Sequence, residues 1–426
     1  MIELAADAAI RTRALPIGIT GGDTAELIPQ LDELAELLVN LDVEVLEPIV
    51  VRNRENHSRY KVGSGKAEEI AQIAQECEAE LLVFDEPLTP SQQRNWERLS
   101  QCKVIDREEV ILEIFASRAQ TREAVLQVEL ARAKYMLPRL TGAWSHLSRQ
   151  RGGGATTRGA GEAQIETDRR LLRNQVRQLE EELSRVRRSR DTQRKARLRR
   201  PVAQGAIVGY TNVGKSSLLA ALSGSEVMAK DQLFATLDPL ARQVALPEHL
   251  EAVLTDTVGF IRKLPHTLVE AFKSTLEESV IADFLLLVLD ASSRDVDLEW
   301  ETTIGVLREL GADEKKIVIV FNKCDRIPED EKPFLNARLR GLFPDAIFVS
   351  AVTGEGLELL RRRLALLVAG SRCRLSAQLP ANRSDLVAFA YQTGQVESCT
   401  YDDDGSCRLS FCIEAKHQHL FAEYLV

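Results

Sequence analysis

The stretch GYTNVGKS, from Gly209 to Ser216, lies directly between an apolar run, Ala206–Val208, and a helical pattern, Ser217–Leu222. No other feature restricts the fold as much, because a glycine-rich loop that wraps phosphate needs a buried strand to enter from and a helix N-terminus to leave by. In that arrangement Gly209 and Gly214 let backbone N–H groups turn inward, and Tyr210, Thr211, Asn212, Val213 and Ser217 complete the cradle. Lys215 is expected to reach the β and γ phosphate oxygens, and the Ser216 hydroxyl to face Mg2+.

Further motifs follow in the order such a site requires. In LTDTVGF, Asp256 ends an apolar run, Val253–Leu254, where its carboxylate holds Mg2+ through water. Thr257 and Val258 lead from it to Gly259, whose N–H is placed for the γ-phosphate. Thr236, in FATLDPL, falls between these motifs in an expected switch segment, where a hydroxyl ligates the metal only while the γ-phosphate is present. Lys215, Thr236 and Gly259 are therefore the expected catalytic set, with Ser216 and Thr236 as metal ligands. NKCD supplies Asn322, Lys323 and Asp325 after the apolar run Ile317–Phe321. A buried carboxylate at Asp325 accepts from guanine N1–H and the C2 amine; adenine offers neither donor, so GTP and GDP are preferred. VSA adds Ser350 and Ala351, followed by Val352, with the Ala351 N–H facing guanine O6. Phe260 stands where many small GTPases carry a glutamine that orients water. Slow unaided hydrolysis is the consequence, speeded by a partner, another side chain or a cation. Arg262 and His266 lie close by in sequence, and neither is assigned that role.

The rest of the chain sorts into an α/β protein of four parts. Residues 1–120 alternate short apolar runs (Val43–Leu46, Leu81–Phe84, Val104–Ile105) with helical patterns such as Ala67–Glu76, predicting a small α/β domain. Its KVGSGKAEEI (61–70) lacks phosphate-loop spacing; a glycine turn feeding a helix is the preferred reading, with ATP binding as the alternative. Residues 121–200 predict a basic helical hairpin. One arm runs from Thr121 to Leu137 before Pro138; the other carries Leu172, Val176, Leu179, Leu183 and Val186 at coiled-coil spacing, and a glycine-rich, flexible tip joins them. Residues 201–371 predict a Ras-like phosphate-loop domain with a mostly parallel sheet. Residues 372–426 predict a small α+β unit, in which YDDDGSC (401–407) reads as a solvated turn.

Charge adds a partner class. Formal net charge is −9, yet between Arg132 and Arg200 the chain has 19 basic and seven acidic residues, a local +12 that leaves −21 elsewhere. Such a block serves either as a solvated helix face or as a surface for nucleic-acid phosphate. On the second reading Arg149, Arg151, Arg158, Arg169, Arg170, Arg185, Arg187, Arg188 and Arg190 are the candidate RNA contacts. The seven cysteines never occur as CxxC, which argues against a disulfide framework or zinc site. The first residues, MIELAADAAIRTRALPIG, lack a secretory pattern, and no apolar run reaches the roughly 18 residues a membrane span needs. A cytoplasmic monomer is expected.

These motifs, with VIDREEVILEIFASRAQTREAVLQVELA (104–131) and GAGEAQIETDRR (159–170), resemble the HflX family of translation-associated GTPases over roughly residues 15–370. The resemblance implies an N-terminal α/β unit, a helical hairpin and a Ras-like domain. It also implies binding to the large ribosomal subunit, with action on stalled ribosomes, by splitting or rescue. A GTP-regulated RNA-binding or RNA-chaperone module in ribosome assembly is the alternative. Two departures stand out: Ala160 where the family's tip has proline, and Leu240 where threonine usually follows DP. Asn212 matches a position at which some related GTPases coordinate K+, so K+ stimulation is an added expectation.

Overall fold

The computed structural model describes residues 12–140, 156–198, 202–225, 233–263 and 278–426, except positions 26, 54, 56, 235, 371, 403 and 404. The chain forms two compact units: residues 1–183 with 232–237 and 263–273, and residues 184–231, 238–262 and 274–426.

The first unit runs β1 (Arg13–Thr20), α1 (Ile28–Val39), β2 (Glu44–Val45), β3 (Ile49–Arg52), α2 (Ser64–Glu76), β4 (Leu81–Phe84), α3 (Pro90–Ser100), β5 (Lys103–Asp106), α4 (Arg107–Arg118) and α5 (Arg122–Met136). Every strand pairing is parallel, in the order β2-β1-β4-β5 with β3 also on β1. Leu81–Phe84 is buried at all four positions, as expected of a parallel strand covered on both faces. Side-chain caps start three helices: Thr89 accepts from the Gln92 N–H in a capping box, Asp106 from Glu109, and Thr121 from Ala124. Helix α6 (Thr156–Leu198) follows. Among the expected seam positions Leu179 and Leu183 are buried, and Arg122–Glu182 (3.3 Å) and Lys134–Glu180 (3.0 Å) tie α5 to this helix. Part of the glycine-rich stretch read as a flexible tip is helical, since α6 takes in Gly159 and Gly161. The helix formers downstream carry it through both, at about 1 kcal/mol each relative to alanine. Residues 141–155, with Arg149 and Arg151, lie outside the described residues.

The second unit contains β6 (Ala203–Gly209), α7 (Lys215–Ser223), β7 (Leu240–Ala245), β8 (Glu251–Asp256), β9 (Phe284–Asp290), α8 (Val296–Glu309), β10 (Lys316–Asn322), α9 (Lys332–Leu342), β11 (Ile347–Phe348) and α10 (Leu357–Gly370). Its sheet order is β11-β10-β9-β6-β8-β7, parallel except for β7 against β8. The chain leaves β6 toward one edge and returns from β8 to β9 on the other side. A crevice therefore opens at the carboxyl ends of β6 and β9, where doubly wound sheets bind ligands. A separate antiparallel sheet, β12 (Arg372–Leu379), β14 (Cys407–Glu414) and β13 (Gln395–Tyr401), packs with α11 (Ser384–Thr393) around Phe411 and Phe421. Among the described residues no helix is long and apolar enough to cross a membrane.

Candidate nucleotide site

The loop after β6 enters that crevice. Gly209 and Gly214 have φ of +150° and +86°, conformations that L side chains rarely adopt. A Cβ at Gly214 would lie 2.4 Å from Asn322 Nδ2, and one at Gly209 would lie 2.2 Å from the Val288 carbonyl oxygen. Gly259, after β8, is as confined: a Cβ there would come within 2.9 Å of Lys215 Nζ and 2.8 Å of Thr211 Cα. At each of the three glycines the chain packs so closely against its neighbours that no side chain fits.

Lys215 starts α7 with its ammonium buried, donating to the Gly209 and Tyr210 carbonyls at 3.2 and 2.7 Å. Burial pushes its pKa down to about 8, against the pull of Asp256 and Glu299 toward the charged form. Phosphate beside it would favour the charged form further. Thr211 Oγ1, in the phosphate loop, is buried without a hydrogen-bond partner, an orphaned polar group at the site. The Ser216 hydroxyl donates to Asp256 Oδ2 at 2.6 Å, and Asp256 is fully buried at the end of β8. A hydroxyl and a carboxylate this close are the hard oxygen donors that suit Mg2+.

The loops after β10 and β11 build the base end. Asn322 donates to the Val213 carbonyl at 2.9 Å and accepts from the Ala351 N–H at 3.0 Å, fixing the phosphate loop to the VSA segment. Ser350 donates to Asp325 at 2.5 Å, orienting the carboxylate expected to read guanine. Lys323 has a left-handed backbone (φ +63°) and pairs with Asp290 at 2.8 Å. Val352 is 83% exposed, and Asp325, expected as a buried carboxylate, is exposed too, because it sits in the short turn after β10 where the loop leaves the sheet.

Motif reading missed Asp290. It ends β9 beside the phosphate-loop strand, and its signal is the one that marked Asp256, an aspartate closing an apolar run. Burial of Glu299 was also missed; desolvation raises its pKa, against hydrogen bonding from Ser293.

Phe260 is 1% exposed and packs with Ala206, Val208 and Leu285, so its ring belongs to the core. Its backbone still serves the site, accepting from the Thr211 N–H and donating to the Gly209 carbonyl. The Arg262 guanidinium is held by Asp295 at 2.7 Å while its N–H donates to the Tyr210 hydroxyl. His266 lies outside the described residues. The second unit thus gathers the phosphate loop, Asp256, Thr257, Val258, Gly259 and the base-end residues, whereas Thr236 belongs to the first unit. Arg169, Arg170, Arg185 and Arg188 lie on α6, with Arg170, Arg185 and Arg188 exposed. Arg158, Arg187 and Arg190 are on the same helix, their side chains outside the described residues.

Four family models match in series: GTP-binding GTPase N-terminal over 29–116, GTP-binding GTPase Middle Region over 118–197, 50S ribosome-binding GTPase over 204–323, and HflX C-terminal domain over 341–420. GTPase HflX of Akkermansia muciniphila is 48% identical over 394 residues, 90% of each chain. GTPase HflX of Escherichia coli strain K12 is 42% identical over 379 residues, 89% of this chain and 88% of that one. A crystal structure of a GTP-binding protein from Sulfolobus solfataricus with GDP is 26% identical, covering 85% of this chain and 99% of that one, with a TM-score of 0.44.

Proposed function

The chain belongs to the HflX family of GTPases, and from that premise we propose that it binds the large ribosomal subunit through its basic helices and hydrolyses GTP in acting on ribosomes, by splitting or rescue. One observation carries the coupling: Phe260 is locked into the core, so the chain has no side chain at that position to orient water. Slow turnover alone, with acceleration on the partner, follows.

We divide the chain into an α/β domain (1–120), a basic hairpin (121–200), a GTP-binding domain (201–371) and a C-terminal unit (372–426). In the GTP site Lys215 steadies the β and γ oxygens, Gly259 donates its N–H to the γ-phosphate, and Asp325 reads the base. Ser216 and Thr236 would hold Mg2+, with Asp256 behind Ser216; the metal would neutralise charge that builds on the phosphate oxygens. Asn212, left-handed at φ +60°, is the candidate K+ ligand.

Turnover measured with small subunits, large subunits and intact ribosomes tests the proposal. Large subunits and intact ribosomes are expected to raise kcat many-fold, small subunits not at all, and the rise is expected to be larger in K+ than in Na+. Equal rates with and without large subunits would leave a GTP-regulated RNA-binding module instead.

The basic helix makes a separate prediction. If Arg185 and Arg188 contact phosphate, the logarithm of affinity for large subunits falls linearly with the logarithm of salt concentration. Each arginine neutralised to glutamine is then expected to take about one from that slope. A slope unchanged in the double substitution returns this face to solvent.

A further inference from the structure

The small antiparallel sheet brings two cysteines together on its core face. In the register of β13 against β14, Cys399 lies opposite Leu409 and Tyr401 opposite Cys407, so the two cysteines are diagonal neighbours on one face. Their sulfurs stand 3.3 Å apart, one thiol donating to the other. The Cys102, Cys324 and Cys373 thiols donate instead to backbone carbonyls. A disulfide holds its sulfurs about 2.05 Å apart, so closure asks for an approach of roughly 1.2 Å. Cys399 is placed to supply it, because it follows directly on the irregularity between Val396 and Ser398, where the ladder is locally disrupted.

The two thiols differ in access. Cys407 is 2% exposed, packed with Leu409 and Phe411 in the core, and burial pushes its pKa up to about 11. At neutral pH it stays a protonated thiol, out of reach of solutes. Cys399 is half-buried, and so is the sulfur that a solute reaches first. Two exposed phenols, Tyr391 and Tyr401, interact with Cys399 and have their pKa values raised by it, so both keep protons to donate toward that sulfur.

We propose that Cys399 and Cys407 are a redox modification site, joined into a reversible disulfide by hydrogen peroxide. The Cys399 thiolate attacks one peroxide oxygen; the O–O bond breaks, the other oxygen leaves as hydroxide and is protonated to water, and Cys399 becomes a sulfenic acid. The Cys407 sulfur then attacks the Cys399 sulfur. The S–O bond breaks, and the hydroxyl leaves with the Cys407 proton as a second water. The two thiols have given up two electrons, and the peroxide has gained them. Contact at 3.3 Å offsets the weak nucleophilicity of a protonated thiol, since the attacking atom is already in place. The bond staples β13 to β14, and a small dithiol reopens it by exchange.

The full chain, reduced and then exposed to hydrogen peroxide, tests this. Free thiols counted after denaturation are expected to fall by two from seven, and the intact mass by two hydrogens. Peptide mapping is expected to find Cys399 linked to Cys407, and dithiothreitol to restore every thiol. In Cys407→Ser the reaction should stop at a Cys399 sulfenic acid, which dimedone traps. In Cys399→Ser the linked peptide is lost and Cys407 stays reduced. A double substitution, Cys373→Ser with Cys412→Ser, leaves the link unchanged. Peroxide that adds oxygen to Cys399 of the unaltered chain without forming the link overturns the proposal, as does a link that runs to Cys373 or Cys412. Should either serine variant fail to fold, the peptide map of the unaltered chain decides by itself.

Discussion

Lys215→Ala is expected to lower GTP turnover by about a thousandfold, the upper range for removing a single preorganised donor from a charged transition state. The ammonium is buried at the start of α7, its position set by the Gly209 and Tyr210 carbonyls. Alanine leaves those two oxygens facing the space where phosphate charge must go, so repulsion adds to the lost attraction. Tight binding of GTP and GDP should go as well, which isothermal titration with each nucleotide would measure. The fold should survive, because the neutral replacement suits the buried position that already depresses the lysine pKa. Retained nanomolar or micromolar binding beside an unchanged thermal transition would remove Lys215 from the site.

The second large effect lies at the other end of the nucleotide. Asp325→Asn is expected to weaken guanine nucleotides by at least about a hundredfold, since two charge-assisted hydrogen bonds are worth about 1.5–3 kcal/mol each. The amide replaces an acceptor by a donor and so opposes the C2 amine of guanine. Xanthine carries a carbonyl at C2, to which that donor is matched, so xanthosine triphosphate should bind the variant better than GTP does. Ser350, which donates to Asp325, can turn its hydroxyl to suit the amide, so the loop geometry is kept. Competition between the two nucleotides reads the preference directly; an unchanged preference for guanine would move base recognition elsewhere.

Both substitutions fall on motifs that sequence spacing exposes, because phosphate and base contacts depend on backbone turns whose residues are adjacent in the chain. Gly209 to Ser216 is such a case, and so is the strand run Phe284–Asp290, whose apolar residues admit only a buried position. What spacing could not reveal depends on neighbours far apart in sequence. β7 carries only Val244 as a buried residue and has no apolar run to mark it, yet it closes the sheet edge against β8. Asp290 looks like a strand end until the sheet order puts it beside Lys323. The ion pair of Lys263 with Asp85 joins residues 178 positions apart, and no local pattern in either segment announces the other. At the C-terminal part of the expected tip the difference runs the other way: glycine content suggested a break, but helix formation is cooperative and the strong formers after Gly161 carry α6 through Gly159 and Gly161.

The placement of Phe260 carries a consequence for timing. A side chain that can be exchanged at a surface lets a GTPase drift toward faster or slower hydrolysis without cost elsewhere. Here the same position is a structural member of the domain interior, packed against Leu285 and Val208, and altering it disturbs the whole domain. On the proposed reading, in which a partner supplies what Phe260 cannot, the lifetime of the GTP-bound form would be a property of the encounter, long while the protein searches and short once it has arrived, so that hydrolysis would record the meeting with a partner and not the passage of time.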